Sequence, residues 1–311
     1  MTQPANVFST VRDLLRYAVS RFREEELEFG HGSDNAYDEA AFLILHTLHL
    51  PLDTLDPFLD ARLLPEEIDK ALNVLERRVT DRVPAAYLTQ EAVLAGYHFY
   101  VDERVLIPRS FISELIGDKF SPWIDDPDSV ENILELCTGS GCLAIMLADA
   151  FPGALIDASD LSLDALDVAE INVSNYDLEE RIALIESDLF NSLEPQRYDL
   201  IVANPPYVPT ASMATLPDEY DHEPQSALAG GEDGMDLVRR IVNEAGRWLT
   251  PNGILVVEIG NEYDNAMAAF PHLELTWLTT SGGDDRVFLI EAKQLQAEQG
   301  AERRSDDKFG A

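Results

Sequence analysis

From Asn132 onward the chain alternates short apolar runs with amphipathic stretches, and this rhythm limits its possible folds more than any other feature. The apolar runs are Ile133–Leu136, Leu155–Ala158, Ile182–Ile185, Leu200–Ala203, Ile254–Glu258, Leu273–Leu278 and Val287–Ile290. Helical patterns lie between them at Gly141–Ala150, Leu163–Asn175, Met235–Leu249 and Glu262–Ala269. A strand that is followed by a helix and then another strand closes as a crossover, which makes neighbouring strands parallel. The expected architecture is α/β, a mainly parallel sheet with helices on both faces. The last two runs have no helix between them, so Gly282-Gly283 is expected to join them as an antiparallel hairpin.

The part before this sheet reads as helical. Val7, Val11, Leu14, Leu15, Ala18 and Phe22 share one helical face. Tyr37 to His49 forms a second apolar segment, ended by Pro51. Pro65 suits the first turn of a third helix, whose stripe is Ile68, Leu72, Leu75 and Val79. Between Tyr87 and Ile107 the pattern shifts to aromatic and β-branched residues around Gly96, which predicts a β-hairpin. Pro108 precedes a helix near Phe111 to Lys119, and a proline- and aspartate-rich linker follows. The expected organisation is a helical unit over residues 1–86, hairpin and linker over 87–128, the sheet domain over 129–292 and a disordered tail over 293–311.

Two composition facts bear on function. No apolar run approaches the roughly 20 residues of a membrane span, so a soluble, cytoplasmic protein is expected. The formal net charge is −36. Binding to a phosphate backbone relies on cations that displace counterions. Direct nucleic-acid binding is therefore not expected, and a basic partner is. Solubility alone is the other account of the acidity. Cys137 and Cys142 make neither a disulfide framework nor a metal site by themselves and read as small core filler.

The segment Glu135-Leu-Cys-Thr-Gly-Ser-Gly141 ends the first strand of the sheet and opens a helix. Gly139 and Gly141 permit a tight turn that brings backbone close to a ligand. A dinucleotide fingerprint would place a glycine where Cys137 stands, which weakens that reading. Glu135, Cys137, Thr138, Gly139, Ser140 and Gly141 are candidate cofactor contacts. Asp160, at the end of the second strand, is placed to accept from ribose hydroxyls. Asp188 is placed to reach an adenine amino group, with Leu189 against the ring. Each aspartate alone would pass for a helix cap or a loop residue.

The fourth strand runs into Asn204-Pro-Pro-Tyr207. The prolines stiffen the backbone and remove N–H donors, leaving carbonyls free to accept. The Asn204 side-chain oxygen and the Pro205 carbonyl can together grip both hydrogens of a planar –NH2 group. Pro206 shapes the turn, and Tyr207 can stack on the group that carries the nitrogen. Asn204, Pro205 and Tyr207 are therefore the candidate catalytic residues, with Asn204 also beside the cofactor and Pro206 in the acceptor site. Glu223-Pro224 is expected to shape the acceptor's way in.

The turn together with the glycine loop resembles the amino-methyltransferases. The order of Val101-Asp-Glu-Arg-Val-Leu-Ile-Pro-Arg-Ser110, Leu136–Cys142, Ser187-Asp-Leu-Phe190 and Gly234-Met-Asp-Leu-Val-Arg-Arg240 is similar to the protein-(glutamine-N5) methyltransferases, over about residues 35 to 292. The resemblance implies a Rossmann-like core of seven strands, an N-terminal helical substrate-binding domain and S-adenosyl-L-methionine as the methyl donor. It also implies a glutamine side chain as acceptor. One branch of the family acts on release factors and another on the third protein of the large ribosomal subunit, before or during ribosome assembly. Arg109-Ser110, Glu114-Leu-Ile116 and Cys137 resemble the ribosomal branch, although Phe111 stands where a proline is usual. An adenine-N6 methyltransferase of nucleic acid and a non-catalytic assembly factor are the competing readings.

Overall fold

A computed structural model describes residues 8–297. Helices α1 (Val11–Glu24), α2 (Ala36–Thr47) and α3 (Pro65–Thr80) come first, followed by the short α4 (Ala85–Thr89). Local chemistry sets their starts. Thr10 caps α1 in a reciprocal box with Asp13, and the Asn35 side chain accepts from Tyr37 and Asp38 N–H at the head of α2. Pro65 opens α3, and Glu67 reaches back to the Leu64 N–H. Their apolar faces, among them Val11, Leu14, Leu15, Ala18, Phe22, Ile68 and Leu75, close into a core of their own. The expected α1 stripe is buried as read, apart from Val7, which lies outside the described residues.

The hairpin is shorter than the sequence pattern suggested. Tyr87 belongs to α4, and only β1 (Glu91–Leu94) and β2 (Tyr97–Tyr100) pair, through a turn with Ala95 and Gly96 at positive φ. Helix wins at Tyr87 because this half-buried turn packs against the N-terminal helices as well as the sheet domain, an environment that the local aromatic pattern does not report. Helix α5 (Ile112–Gly117) then leads into the sheet domain.

There β3 (Asn132–Leu136), α6 (Cys142–Ala150), β4 (Leu155–Asp160), α7 (Leu163–Asn175), β5 (Ile182–Glu186), β6 (Tyr198–Ala203), the short α8 (Thr210–Met213), α9 (Asp236–Trp248), β7 (Leu249–Glu258), α10 (Tyr263–Ala269), β8 (Thr276–Thr280) and β9 (Gly283–Glu291) follow in order. All the expected strands form, in a seven-stranded sheet ordered β5-β4-β3-β6-β7-β9-β8. The first five are parallel, and β9 runs antiparallel to both β7 and β8. One apolar cluster fills each face of the sheet. The strand order reverses between β3 and β6, and ligands of such sheets bind outside the carboxyl ends at that crevice.

The first residues of the expected tail are ordered. Residues 292–297 are helical, Leu295 is buried against the sheet, and Gln296 donates to the Gly246 and Leu249 carbonyls. Burial of Ala292 and Leu295 with two backbone anchors holds a helical turn that charge and polarity alone describe as free. The remaining tail residues lie outside the described ones.

Candidate active site

The sheet's register assembles the site. Leu136 pairs with Ala203 across β3 and β6, so the glycine loop and Asn204 leave the sheet side by side. Leu136 pairs with Ser159, and Asp160 with Glu186, which brings Asp160 next to the glycine loop and β5's exit next to Asp160. Ala203 pairs with Val257, which places Glu258 beside Asn204 on the other side.

The glycine loop turns through positive φ at Cys137, Gly139 and Gly141. Cys137 does so without the freedom of glycine, at a cost of about 1–3 kcal/mol that the surrounding contacts must offset. Thr138 donates its hydroxyl to Glu135 and its N–H to the Ser159 carbonyl. Burial pushes the Glu135 carboxyl up to about 8, so at neutral pH it is mostly protonated. The Glu135, Thr138 and Ser140 side chains are buried, so what this loop turns outward is backbone and part of Cys137. Asp160 holds it from the side, with Oδ2 accepting from the Gly139 N–H at 2.9 Å and Oδ1 from the Ser162 N–H at 2.9 Å. Burial raises the pKa of Asp160, while these N–H groups pull it back. Asn172 of α7, which sequence reasoning missed, donates to the Ser140 carbonyl and trades hydrogen bonds with the Tyr100 backbone, stitching loop to hairpin.

One of the two cysteines is the core filler expected, and the other is not. Cys142 is buried, but Cys137 is half-exposed. Burial raises both thiol pKa values, that of Cys142 to about 12, so both stay protonated and are poor nucleophiles. Asp188 does reach the same rim, but Arg240 holds its Oδ2 at 2.8 Å and Asn191 shares that oxygen. Among the described residues no side chain or backbone group is hydrogen-bonded to its Oδ1. Leu189 adopts positive φ and is buried next to Phe190.

Beyond Asn204 lies a cavity of about 500 Å³, lined by Asn204, Pro205, Tyr207, Arg109, Tyr220 and Gly260 among others. Among the described residues, none hydrogen-bonds the half-buried Asn204 side chain, which stands at the cavity with its amide uncommitted. The turn is seated on glycines. A Cβ on Gly230 would lie 2.6 Å from the Tyr207 Cα, and one on Gly260 would lie 2.5 Å from its ring. A Cβ on Gly234 would collide with the Tyr207 carbonyl. The Val208 N–H bonds the Leu228 carbonyl at 2.8 Å and fixes the turn's far side.

The pairings between residues around the cavity were invisible in the sequence. Arg109 forks onto both Glu223 oxygens, at 2.5 and 2.6 Å, and lies over the Tyr220 ring at 5.3 Å. Burial works to raise the Glu223 pKa, but Arg109, and after it the nearby His31, overcome it and hold the carboxyl down to about 2. The Ser110 hydroxyl donates to Glu258, whose carboxyl burial pushes up to about 7. Phe111 has φ −67°, the angle that proline imposes, so the loop keeps the shape a proline would give it. Only an i-to-i+114 pairing links Arg109 to Glu223, and no local pattern announces such a contact.

Comparison with known proteins bears on the fold and the family. Residues 123–216 match the family described as Methyltransferase small domain. The chain is 64% identical over 307 residues to a ribosomal protein uL3 glutamine methyltransferase of Burkholderia pseudomallei, covering 96% of this chain and 100% of that one. It is 58% identical to the protein of that name from Neisseria meningitidis, covering 96% and 98%, and 56% identical to that of Bordetella pertussis, covering 92% and 96%. Identity at this level runs through the N-terminal helices as well as the sheet, so it extends well beyond the shared methyltransferase core, and the chain belongs to the ribosomal protein uL3 glutamine methyltransferase family.

Proposed function

We propose that this protein methylates the side-chain amide nitrogen of a glutamine in ribosomal protein uL3, with S-adenosyl-L-methionine as donor. The observation that carries the reading is the uncommitted Asn204 amide, placed by strand register between the glycine loop and the acceptor cavity. The donor fits the neighbouring strand ends. A Cβ on Gly139 would meet no heavy atom within 4 Å, so the loop opens onto free space. Each Asp160 oxygen accepts one N–H and keeps a lone pair for a ribose hydroxyl. When bound, S-adenosyl-L-methionine supplies an electrophilic methyl group and leaves as the neutral thioether.

The protein's task is to make an amide nitrogen nucleophilic. Its lone pair is delocalised into the carbonyl, and hydrogen bonds that draw both N–H groups out of plane weaken that delocalisation. The Asn204 side-chain oxygen and the Pro205 carbonyl are the two acceptors for this grip. Pro206 cannot offer a competing N–H and keeps the turn rigid. Tyr207 covers the flat face of the amide. The nitrogen gains the methyl before it loses a proton, so positioning and electrostatics replace a strong base. The acidic total of −36 favours encounter with a basic protein.

Intact-mass spectrometry of purified uL3 and of a release factor, each incubated with enzyme and donor, tests the proposal. One added methyl on a uL3 glutamine, abolished by Asn204→Ala, is the expected result. A methyl on the release factor alone would keep the chemistry and refute the acceptor.

A further inference from the structure

One wall of the acceptor cavity is built on the short 3-10 segment Asp218–His222, and this segment is anchored to the N-terminal helices. Glu219 is 1% exposed, and its Oε1 accepts from Arg78 Nη1 at 3.0 Å and from the Glu28 N–H at 3.2 Å. Arg78, equally buried, also binds Glu39 at 2.7 Å and the Glu28 carbonyl at 2.7 Å. The His222 Nε2 meets the Asp81 carbonyl at 2.8 Å. Between these anchors Tyr220 faces the cavity, with Arg109 over its ring and His31 edge-on at 4.6 Å between centroids.

His31 is the exception in this network. It is 3% exposed, yet among the described residues neither ring nitrogen has a hydrogen-bond partner. Its Nε2 stands 3.7 Å from Glu223 Oε2, too far for a hydrogen bond and close enough that a movement of under about 1 Å would make one. A buried imidazole without partners is a cost that the free protein carries. Such a cost is kept where another state of the molecule removes it. Glu223 Oε2 already receives Arg109, and both Arg109 and Tyr220 line the cavity, so an acceptor that presses on this wall moves the carboxylate and the histidine together.

We propose that His31 is a positioning residue for the methyl acceptor, its Nε2–H closing onto Glu223 when the acceptor segment fills the cavity and thereby fixing Arg109 and Tyr220 against it. The inference rests on the glutamine-transfer reading above and gives the N-terminal helical unit a part in shaping the cavity. It concerns acceptor binding, so it can be tested without turnover.

The test is calorimetric binding of intact uL3 to the full-length enzyme, compared with its His31→Phe, His31→Leu and His31→Gln variants. The apolar variants remove the two unpartnered nitrogens, and His31→Leu serves if the larger ring does not fit. They should bind uL3 about 10–100-fold more weakly, the worth of a hydrogen bond to a charged group. Donor affinity should be unchanged and the melting temperature of the free enzyme unchanged or higher. His31→Gln keeps a donor and should recover most of the affinity. Apolar variants that fold and bind uL3 as tightly as the parent would overturn the proposal. So would a lowered melting temperature with equal losses in the Leu and Gln variants, which would mark a structural role only. Parent enzyme that binds uL3 without methylating it would count against the glutamine-transfer reading and leave this comparison intact.

Discussion

Gly260→Ala is the substitution whose effect can best be worked out from the structure. Gly260 has φ +54°, and an alanine Cβ there would stand 2.5 Å from Cε2, 2.9 Å from Cζ and 3.2 Å from Cδ2 of Tyr207. Contacts tighter than 3.4 Å require the neighbour to give way, so the ring edge must retreat by about 0.9 Å. The Tyr207 backbone cannot share that movement, because Gly230 and Gly234 already lie against it and the Leu228 carbonyl holds the next N–H. A displacement near 1 Å at a positioning group lowers turnover by about 10²-fold. The left-handed alanine adds a stability cost of about 1–2 kcal/mol, a few degrees in melting temperature. Single-turnover methylation of uL3 at saturating donor should therefore slow about 10²-fold, with donor affinity intact by calorimetry. Gly96→Ala is the control, since Gly96 also has positive φ but its Cβ would meet nothing within 4 Å. It should lose stability and keep its rate. A Gly260→Ala enzyme with parental single-turnover rate would refute the argument that the Tyr207 ring position governs the chemistry.

Three other outcomes follow from the site. Asn204→Ala should abolish turnover while donor affinity, measured by calorimetry, stays within about threefold, because its amide serves the acceptor. Asp160→Ala should weaken donor binding at least tenfold, since it removes a ribose acceptor and the brace on the Gly139 N–H together. Glu258 has a folded pKa raised from 4.5 to about 7 by burial, so the stability it contributes is full below pH 4.5 and is lost as pH rises to about 7. The swing is on the order of 3 kcal/mol at 1.36 kcal/mol per pKa unit. Denaturant melts of Glu258→Gln should be flatter over that window than those of the parent, and an unchanged pH slope would show that this carboxyl does not titrate there.

The proposed acceptor and the strong acidity also connect to each other. A basic protein approaching a chain of net charge −36 meets an attractive field, which acts on encounter rate and is screened by salt. The site contacts themselves, such as the forked Arg109–Glu223 pair with its fully buried carboxylate, are less exposed to that screening.

Period and turn chemistry alone identified each strand of the sheet, the glycine loop and the Asn204–Tyr207 turn, because these are local patterns in which neighbours along the chain decide the outcome. The antiparallel end was legible for the same reason, as no helix separates β8 from β9. What the sequence could not contain is which strand ends lie together. Leu136 and Ala203 are far apart in the chain, and only the pairing of β3 with β6 sets the glycine loop beside Asn204. The same limit hid Glu258 behind Ser110, Glu223 under Arg109 and Arg78 against Glu219, since each is a charge or hydroxyl whose partner is more than a hundred residues away. It also misplaced Tyr87 and Leu295, whose conformations follow from surfaces they bury rather than from their neighbours in sequence. Local propensity chose the elements and the chemistry that they carry; burial of distant surfaces and pairing of distant charges decided how that chemistry meets.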